Sequence, residues 1–303
     1  LKDYILCCVS RTEINQVFLN EIKDFLKTQD ALVGKEENLT ESGLFAFDLP
    51  LSFPHEFERI KKDLMDLSNK FSIDMALIPH DGFRSQRKLV LFDMDSTLIQ
   101  HEVIDEMASV HGVGDRVRKI TEKAMNGELN FDEALRERVS LLKGLKRSDM
   151  EKIFYDLKLT SGVESLIHKL KQHGYKTGIV SGGFKFFAEG FKTKLGMDYA
   201  FANELEFEGE VLTGQVKGEI INAEKKALIL EELARKEKLT LDQIVAVGDG
   251  ANDLPMLAKA GFGIAYHAKE KVRRLARHHV GHGDMTTLLY FLGITGKHLN
   301  EIV

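Results

Sequence analysis

The chain is poor in cysteine, in long apolar runs and in charge of one sign, and each shortage closes off a class of protein. Its two cysteines, Cys7 and Cys8, are adjacent, so a mutual disulfide would be strained and a thiolate metal site would lack ligands. Two packed thiols in a reducing compartment are expected. No apolar stretch approaches the roughly 20 residues of a membrane helix, so no span is expected. Tyr4 to Val9 is too short for the apolar region of a signal peptide, and acidic helical sequence follows. A cytoplasmic location is the expectation. The formal net charge is only −5, with Lys and Arg dispersed along the chain. That argues against nucleic acid as the main partner and for a small molecule.

What is present suits a sizeable globular protein. The 303 residues, 43% hydrophobic and 29% charged, fit one main domain of roughly 200 residues plus a smaller module. Residues 1–82 read as strand Tyr4 to Val9, then a helical stripe of Ile14, Val17, Phe18, Ile22, Phe25 and Leu26. Strands at Ala31 to Val33 and Leu44 to Leu49 follow, joined by polar Lys35 to Ser42. Pro54 opens a helix carrying Phe57, Ile60, Leu64 and Leu67, and Asp74 to Ile78 is a last strand. This α+β module of order βαββαβ resembles ACT-type modules. Ligand-binding modules of that type offer glycine in the turn after the first strand, where this chain has Ser10-Arg11-Thr12-Glu13. The module is therefore assigned to dimerisation, giving a homodimer, or to packing, and not to effector binding.

Residues 83–303 read as a second domain, entered through a polar linker at His80 to Arg87. Leu89 to Phe92 is a continuous apolar run, as a parallel strand buried on both faces requires. Thr177 to Val180, Ile244 to Val247 and Gly263 to Tyr266 are further strands, with helical stretches between them. The pattern predicts an α/β fold with a doubly wound parallel sheet. Ile104 to Lys158 is helical in pattern and far longer than one crossover needs, so residues 104–160 read as an inserted helical cap. Phe207 to Val216 reads as a second insertion, a hairpin turning at Glu208-Gly209-Glu210.

Ligands of such sheets bind at the carboxyl ends of the strands. Those ends carry Asp93-Met94-Asp95-Ser96-Thr97, Ser181-Gly182-Gly183 and Gly248-Asp249-Gly250-Ala251-Asn252-Asp253, with Lys226 on the helix before the last. One acidic pair alone would be a turn or a helix cap. Four carboxylates sharing a cleft instead require a cation, and oxygen-only ligands favour a hard ion such as Mg²⁺. A hydroxyl, backbone N–H groups and an ammonium suit the opposite side, a phosphate.

These motifs match the four of the haloacid dehalogenase superfamily, and among its members the sequence resembles the phosphoserine phosphatases. The resemblance runs from about Lys88 towards the C-terminal region. It implies hydrolysis of phosphoserine through a phospho-aspartyl intermediate on Asp93, the last step of serine biosynthesis. By the same resemblance, Mg²⁺ is expected on the Asp93 and Asp249 carboxylates and the Asp95 backbone carbonyl, with Asp253 ordering a water. Asp95 is expected to serve as acid and base, Ser181, the Gly182 N–H and Lys226 to hold phosphoryl oxygens, and Asn252 to support the substrate or Lys226. Glu102 and Arg138 are each solvated helix residues when taken alone; the resemblance implies that they bind the substrate ammonium and carboxylate. Phe131 and Met125 either line the pocket or pack a helix face. The alternatives are a phosphatase or phosphotransferase for another small phosphate such as phosphohomoserine, or an amino-acid-sensing regulator. His278, His279 and His282 invite a zinc reading, which is set aside because no Cys is near and the segment reads as a loop. The charge run Glu231 to Lys238 reads as a solvated helix face.

Overall fold

Two sheets organise the computed structural model, which describes residues 1–40, 43–55 and 57–294, the side chain of Met125 excepted. The first is built from β1 (Lys2–Ser10), β2 (Leu32–Val33), β3 (Glu37–Asn38), β4 (Phe45–Phe53) and β5 (Asp74–Pro79). Its order is β2-β4-β1-β5, with β3 also pairing β4 and every pairing antiparallel. Helix α1 (Gln16–Thr28) begins at Asn15, whose Oδ1 accepts from the Phe18 N–H at 3.0 Å. Helix α2 (Lys61–Phe71) begins later than Pro54. A short turn at Phe57–Arg59 comes first and lays the Phe57 ring 5.5 Å from that of His278, a tertiary contact that overrides the helix-start signal.

Two further departures have local causes. The polar stretch expected as a connection contains β3. Strand β4 runs on through Pro50, whose carbonyl accepts from the Gly34 N–H at 2.8 Å. Its nitrogen faces the same way, past the end of the two-residue β2, where no ladder donor is needed. Side chains alternate along β1, so Tyr4, Leu6 and Cys8 pack under α1 and α2 while Cys7 and Val9 face the second half of the molecule. The cysteines are thus buried, unpaired and on opposite faces.

After α3 (Phe83–Gln86) and β6 (Leu89–Phe92), a wide turn leads to α4 (Val103–Val110), α5 (Gly114–Met125), α6 (Phe131–Ser140) and α7 (Arg147–Asp156). The chain returns through α8 (Val163–Gln172), β7 (Lys176–Phe184), α9 (Lys185–Leu195), β8 (Tyr199–Glu208) and β9 (Val211–Lys217). It continues with α10 (Ala223–Glu237), β10 (Ile244–Gly248), α11 (Leu254–Lys259), β11 (Phe262–Tyr266), α12 (Glu270–Leu275), β12 (His278–Val280) and α13 (Thr287–Phe291). The second sheet has the order β12-β11-β10-β6-β7-β8-β9, parallel except for the β8–β9 hairpin. Val90 and Phe92 of β6 face one layer of helices, and Leu89 and Leu91 face the other. The chain leaves β6 towards β7 on one side and returns to β10 on the other, so a crevice opens at the β6 carboxyl end. None of the described helices is long and apolar enough to cross a membrane.

The segment expected as a linker is a strut. Arg84, on α3, forms an ion pair with the buried Asp48 of β4, donates from Nε to the Phe291 carbonyl at 3.1 Å, and also reaches the Tyr290 carbonyl. Asp74, wholly buried on β5, accepts from the N–H groups of Gly281, His282 and Gly283 at 2.7, 3.1 and 2.6 Å. Of the expected histidine loop, His278 and His279 lie on the edge strand β12 and His282 in the bend after it, and the His278 ring lies 4.4 Å from that of Phe262, inside the join between the two halves.

Candidate active site

Strand β6 delivers Asp93 to the crevice, and its side chain caps the turn that follows, Oδ1 accepting from the Met94 N–H at 2.8 Å. The turn holds Ser96 in the left-handed region, φ 54°, a strained setting for a residue other than glycine. Lys226 reaches in from α10. Wholly buried, its Nζ lies 2.8 Å from Asp93 Oδ1 and 2.7 Å from Asp253 Oδ1. Burial works against that ammonium, but Asp253 and Asp93 outweigh it and raise its pKa. Burial, with the Asp253 charge next, pushes the Asp93 carboxyl well above the usual range, against the pull of Lys226.

Asp95 stands on the other side of the turn. Its Oδ1 accepts from the N–H of Val103, the first residue of α4, at 2.8 Å, and its Oδ2 accepts from Ser181 Oγ at 3.2 Å. Burial, then the Glu102 charge, push its pKa up to about 7. Ser181 also accepts from the Gly183 N–H at 2.8 Å. A Cβ on Gly183 would stand 2.3 Å from Asp95 Oδ2, so only glycine lets the two strand ends approach this closely. Asp249 accepts from Thr97 Oγ1 at 2.8 Å, and burial lifts its pKa to about 6. Asp253 also accepts from the Gly250 N–H at 2.9 Å. Asn252 lies in the same turn, but Lys226 is held by Asp93 and Asp253 instead.

The helices after β6 close over this floor. Ser96 Oγ donates to Glu102 Oε1 at 2.8 Å. Glu102 stands in the cleft, where crowding by protein raises its pKa against that hydrogen bond. Arg138 on α6 donates from Nε to the Ala134 carbonyl at 3.2 Å and from Nη1 to Thr121 Oγ1 at 3.5 Å. Desolvation lowers its pKa, and the charges of Asp105, Glu102 and Asp95 oppose that shift. Phe131, opening α6, packs over Gly182: a Cβ there would meet its ring at 3.0 Å. Beside it, Asn222 Nδ2 donates to Asp132 Oδ1 at 3.2 Å, joining the start of α10 to the start of α6. The Met125 side chain is outside the described residues.

The family model for haloacid dehalogenase-like hydrolases matches residues 87–261. The chain belongs to that family. It is 50% identical over 217 residues to a phosphoserine phosphatase of Archaeoglobus fulgidus, an alignment covering 72% of this chain and 63% of that one. This chain thus spans less than two thirds of the length of that relative. A probable phosphoserine phosphatase of Schizosaccharomyces pombe is 45% identical over 250 residues, 80% of this chain and 83% of that one. The unliganded crystal structure of a probable phosphoserine phosphatase from Vibrio cholerae superposes with a TM-score of 0.79 at 32% identity, covering 99% of this chain and 89% of that one.

Haloacid dehalogenase-like hydrolases use a divalent metal, and the donors here fit one. Oxygens of Asp93, Asp249 and Asp253 lie within 4.8 Å of one another. All three are hard ligands, and burial, with the Asp253 charge adding to it, lifts the carboxyls of Asp93 and Asp249. Several contacts had no sequence signal: Thr97 to Asp249, Phe131 to Gly182 and Asn222 to Asp132 each join residues far apart in the chain, without a fixed spacing.

Proposed function

We propose that this hydrolase is a Mg²⁺-dependent phosphoserine phosphatase acting in the cytoplasm, with Asp93 as nucleophile. The observation that carries the reading is the placing of Asp95. It sits two residues beyond the buried Asp93, gripped between Ser181 and the first N–H of α4, with a pKa of about 7 that suits both giving and taking a proton. The Asp93 carboxylate attacks phosphorus in line, the P–O bond to the serine oxygen breaks, and Asp95 protonates that oxygen. Water then attacks the phosphoryl group on Asp93. Asp95 takes its proton, and phosphate leaves with the Asp93 carboxylate restored.

Asp93, Asp249 and the Asp95 carbonyl would hold Mg²⁺, which would supply the positive charge that lets an anion approach a phosphate dianion. Asp253 would order a water of that ion, and it fixes Lys226. Ser181, the Gly182 N–H and Lys226 hold phosphoryl oxygens, with Asn252 at the edge. Glu102 and Arg138 read the ammonium and carboxylate of the amino acid, which supports phosphoserine over other small esters. Phosphate release from phosphoserine should need Mg²⁺ and vanish in Asp93→Asn, whose amide is a poor nucleophile. Near-parent turnover by that variant would overturn the mechanism.

A further inference from the structure

The ladder between β7 and β8 breaks at the Ser-Gly-Gly loop. Val180 pairs with Phe201 and the next pair is Phe184 with Asn203, so Ser181, Gly182 and Gly183 bulge opposite a single residue, Ala202. The Gly182 carbonyl is drawn off its ladder partner by the bulge. Asn203, 1% exposed, takes it up: its Nδ2 donates to the Gly182 carbonyl at 2.7 Å. At the other end of the same amide, Oδ1 accepts from the Ile221 N–H at 2.8 Å. One partner is a pure acceptor and the other a pure donor, so the amide fits in one orientation only.

Ile221 leads directly into Asn222, which caps α10 through the Lys225 N–H at 3.1 Å and whose carbonyl accepts from the Lys226 N–H at 2.9 Å. One buried amide therefore ties the Gly182 loop to the first turn of the helix that carries Lys226. We propose that Asn203 is a positioning residue that fixes the spacing between the Gly182 loop and Lys226, and so the anion-binding face of the site. The proposal rests on reading that face as the phosphate site. Asn203 touches no reacting group; it acts through the two backbone segments it joins. Losing it would leave a buried carbonyl and a buried N–H without partners, and both belong to segments that frame the anion.

The test uses the full chain and inorganic phosphate as probe. Asn203→Asp still accepts from the Ile221 N–H but turns an oxygen towards the Gly182 carbonyl, and Asn203→Ser is too short to span both. Phosphate binding with Mg²⁺ present, and Mg²⁺ binding alone, are measured by calorimetry on variants whose melting is cooperative. We expect phosphate affinity to fall about tenfold or more in both, the scale of one strong hydrogen bond. Mg²⁺ affinity should stay within about twofold of the parent, since its carboxylates sit at the ends of β6 and β10. Phosphate affinity within about twofold of the parent would overturn the proposal. So would parallel losses of phosphate and Mg²⁺, or failure of both variants to fold, which would make Asn203 a determinant of the sheet alone. A parent that binds no phosphate would instead overturn the phosphate-site reading itself.

Discussion

Replacing Lys226 with methionine keeps most of the stem and deletes the charge that the site is built around. Two carboxylates, Asp93 at 2.8 Å and Asp253 at 2.7 Å, then lose their buried cation. Removing one partner from a buried ion pair costs about 3–5 kcal/mol. Proton uptake gives an independent bound. A carboxylate of ordinary pKa about 3.9 can shed its charge at pH 7 for about 4 kcal/mol, at 1.36 kcal/mol per pKa unit. The two estimates agree, and the melting temperature should fall by roughly 2–4 °C per kcal/mol. In the variant the Asp93 carboxyl, already lifted by burial in the parent, loses the opposing pull of Lys226 and rises further, so the variant's native state holds a proton that the parent's sheds first. Its deficit should therefore shrink as pH falls, by up to about 1.4 kcal/mol per pH unit. Mg²⁺ at about 100 times its dissociation constant should return about 2.7 kcal/mol by mass action. Urea unfolding of parent and variant at pH 7 and pH 5.5, each with and without Mg²⁺, reads all of these effects. A metal-free variant with the parent's midpoint at pH 7 would refute the reasoning.

Arg138→Ala should lower kcat/KM for phosphoserine by about 2–5 kcal/mol, by analogy with buried charge pairs, yet leave an aryl phosphate nearly untouched. Equal losses on both substrates would make Arg138 a support for the overlying helices. Burial holds His278 well below its ordinary pKa and His279 down to about 4, so both are neutral in the native state while the unfolded chain takes up protons below about 6.5. Each contributes stability that is full above about pH 6.5 and is lost towards pH 4, by up to about 1.4 kcal/mol per pH unit. His278→Phe should therefore lose less stability than the parent between pH 7 and pH 5 in urea unfolding; equal pH slopes would count against this.

The floor of the site was readable because parallel strands gather their carboxyl ends, so residues far apart in sequence share a crevice once the strands are recognised. Asp93, Asp95, Ser181 and Asp249 followed from that rule, and Lys226, on the helix before β10, was singled out as the ammonium that a phosphate needs. Glu102 and Arg138 did not, since a charged helix residue looks the same whether it faces water or a pocket; only resemblance singled them out. The strut was hidden for another reason. Arg84 looks like a linker residue until Asp48, 36 residues earlier, and the Phe291 carbonyl, 207 residues later, arrive beside it. Strand β12 was missed because three residues with two histidines carry no strand signal, although burial beside Phe57 and Phe262 makes them one.

The Asp74 clamp gives the chain a problem of timing during its synthesis. Asp74 and Gly281 are 207 residues apart. At translation rates of about 5–20 residues per second, roughly 10–40 s separate the carboxylate from the amides that receive it. Through that interval the sheet face bearing Cys7, Val9, Ala46, Ala76 and Ile78 also waits for α13. An early-made sheet is thus completed by a late-made helix. Closing so long a loop is slow, and an exposed apolar face next to an unpaired charge is what a holding chaperone would meet on the nascent chain.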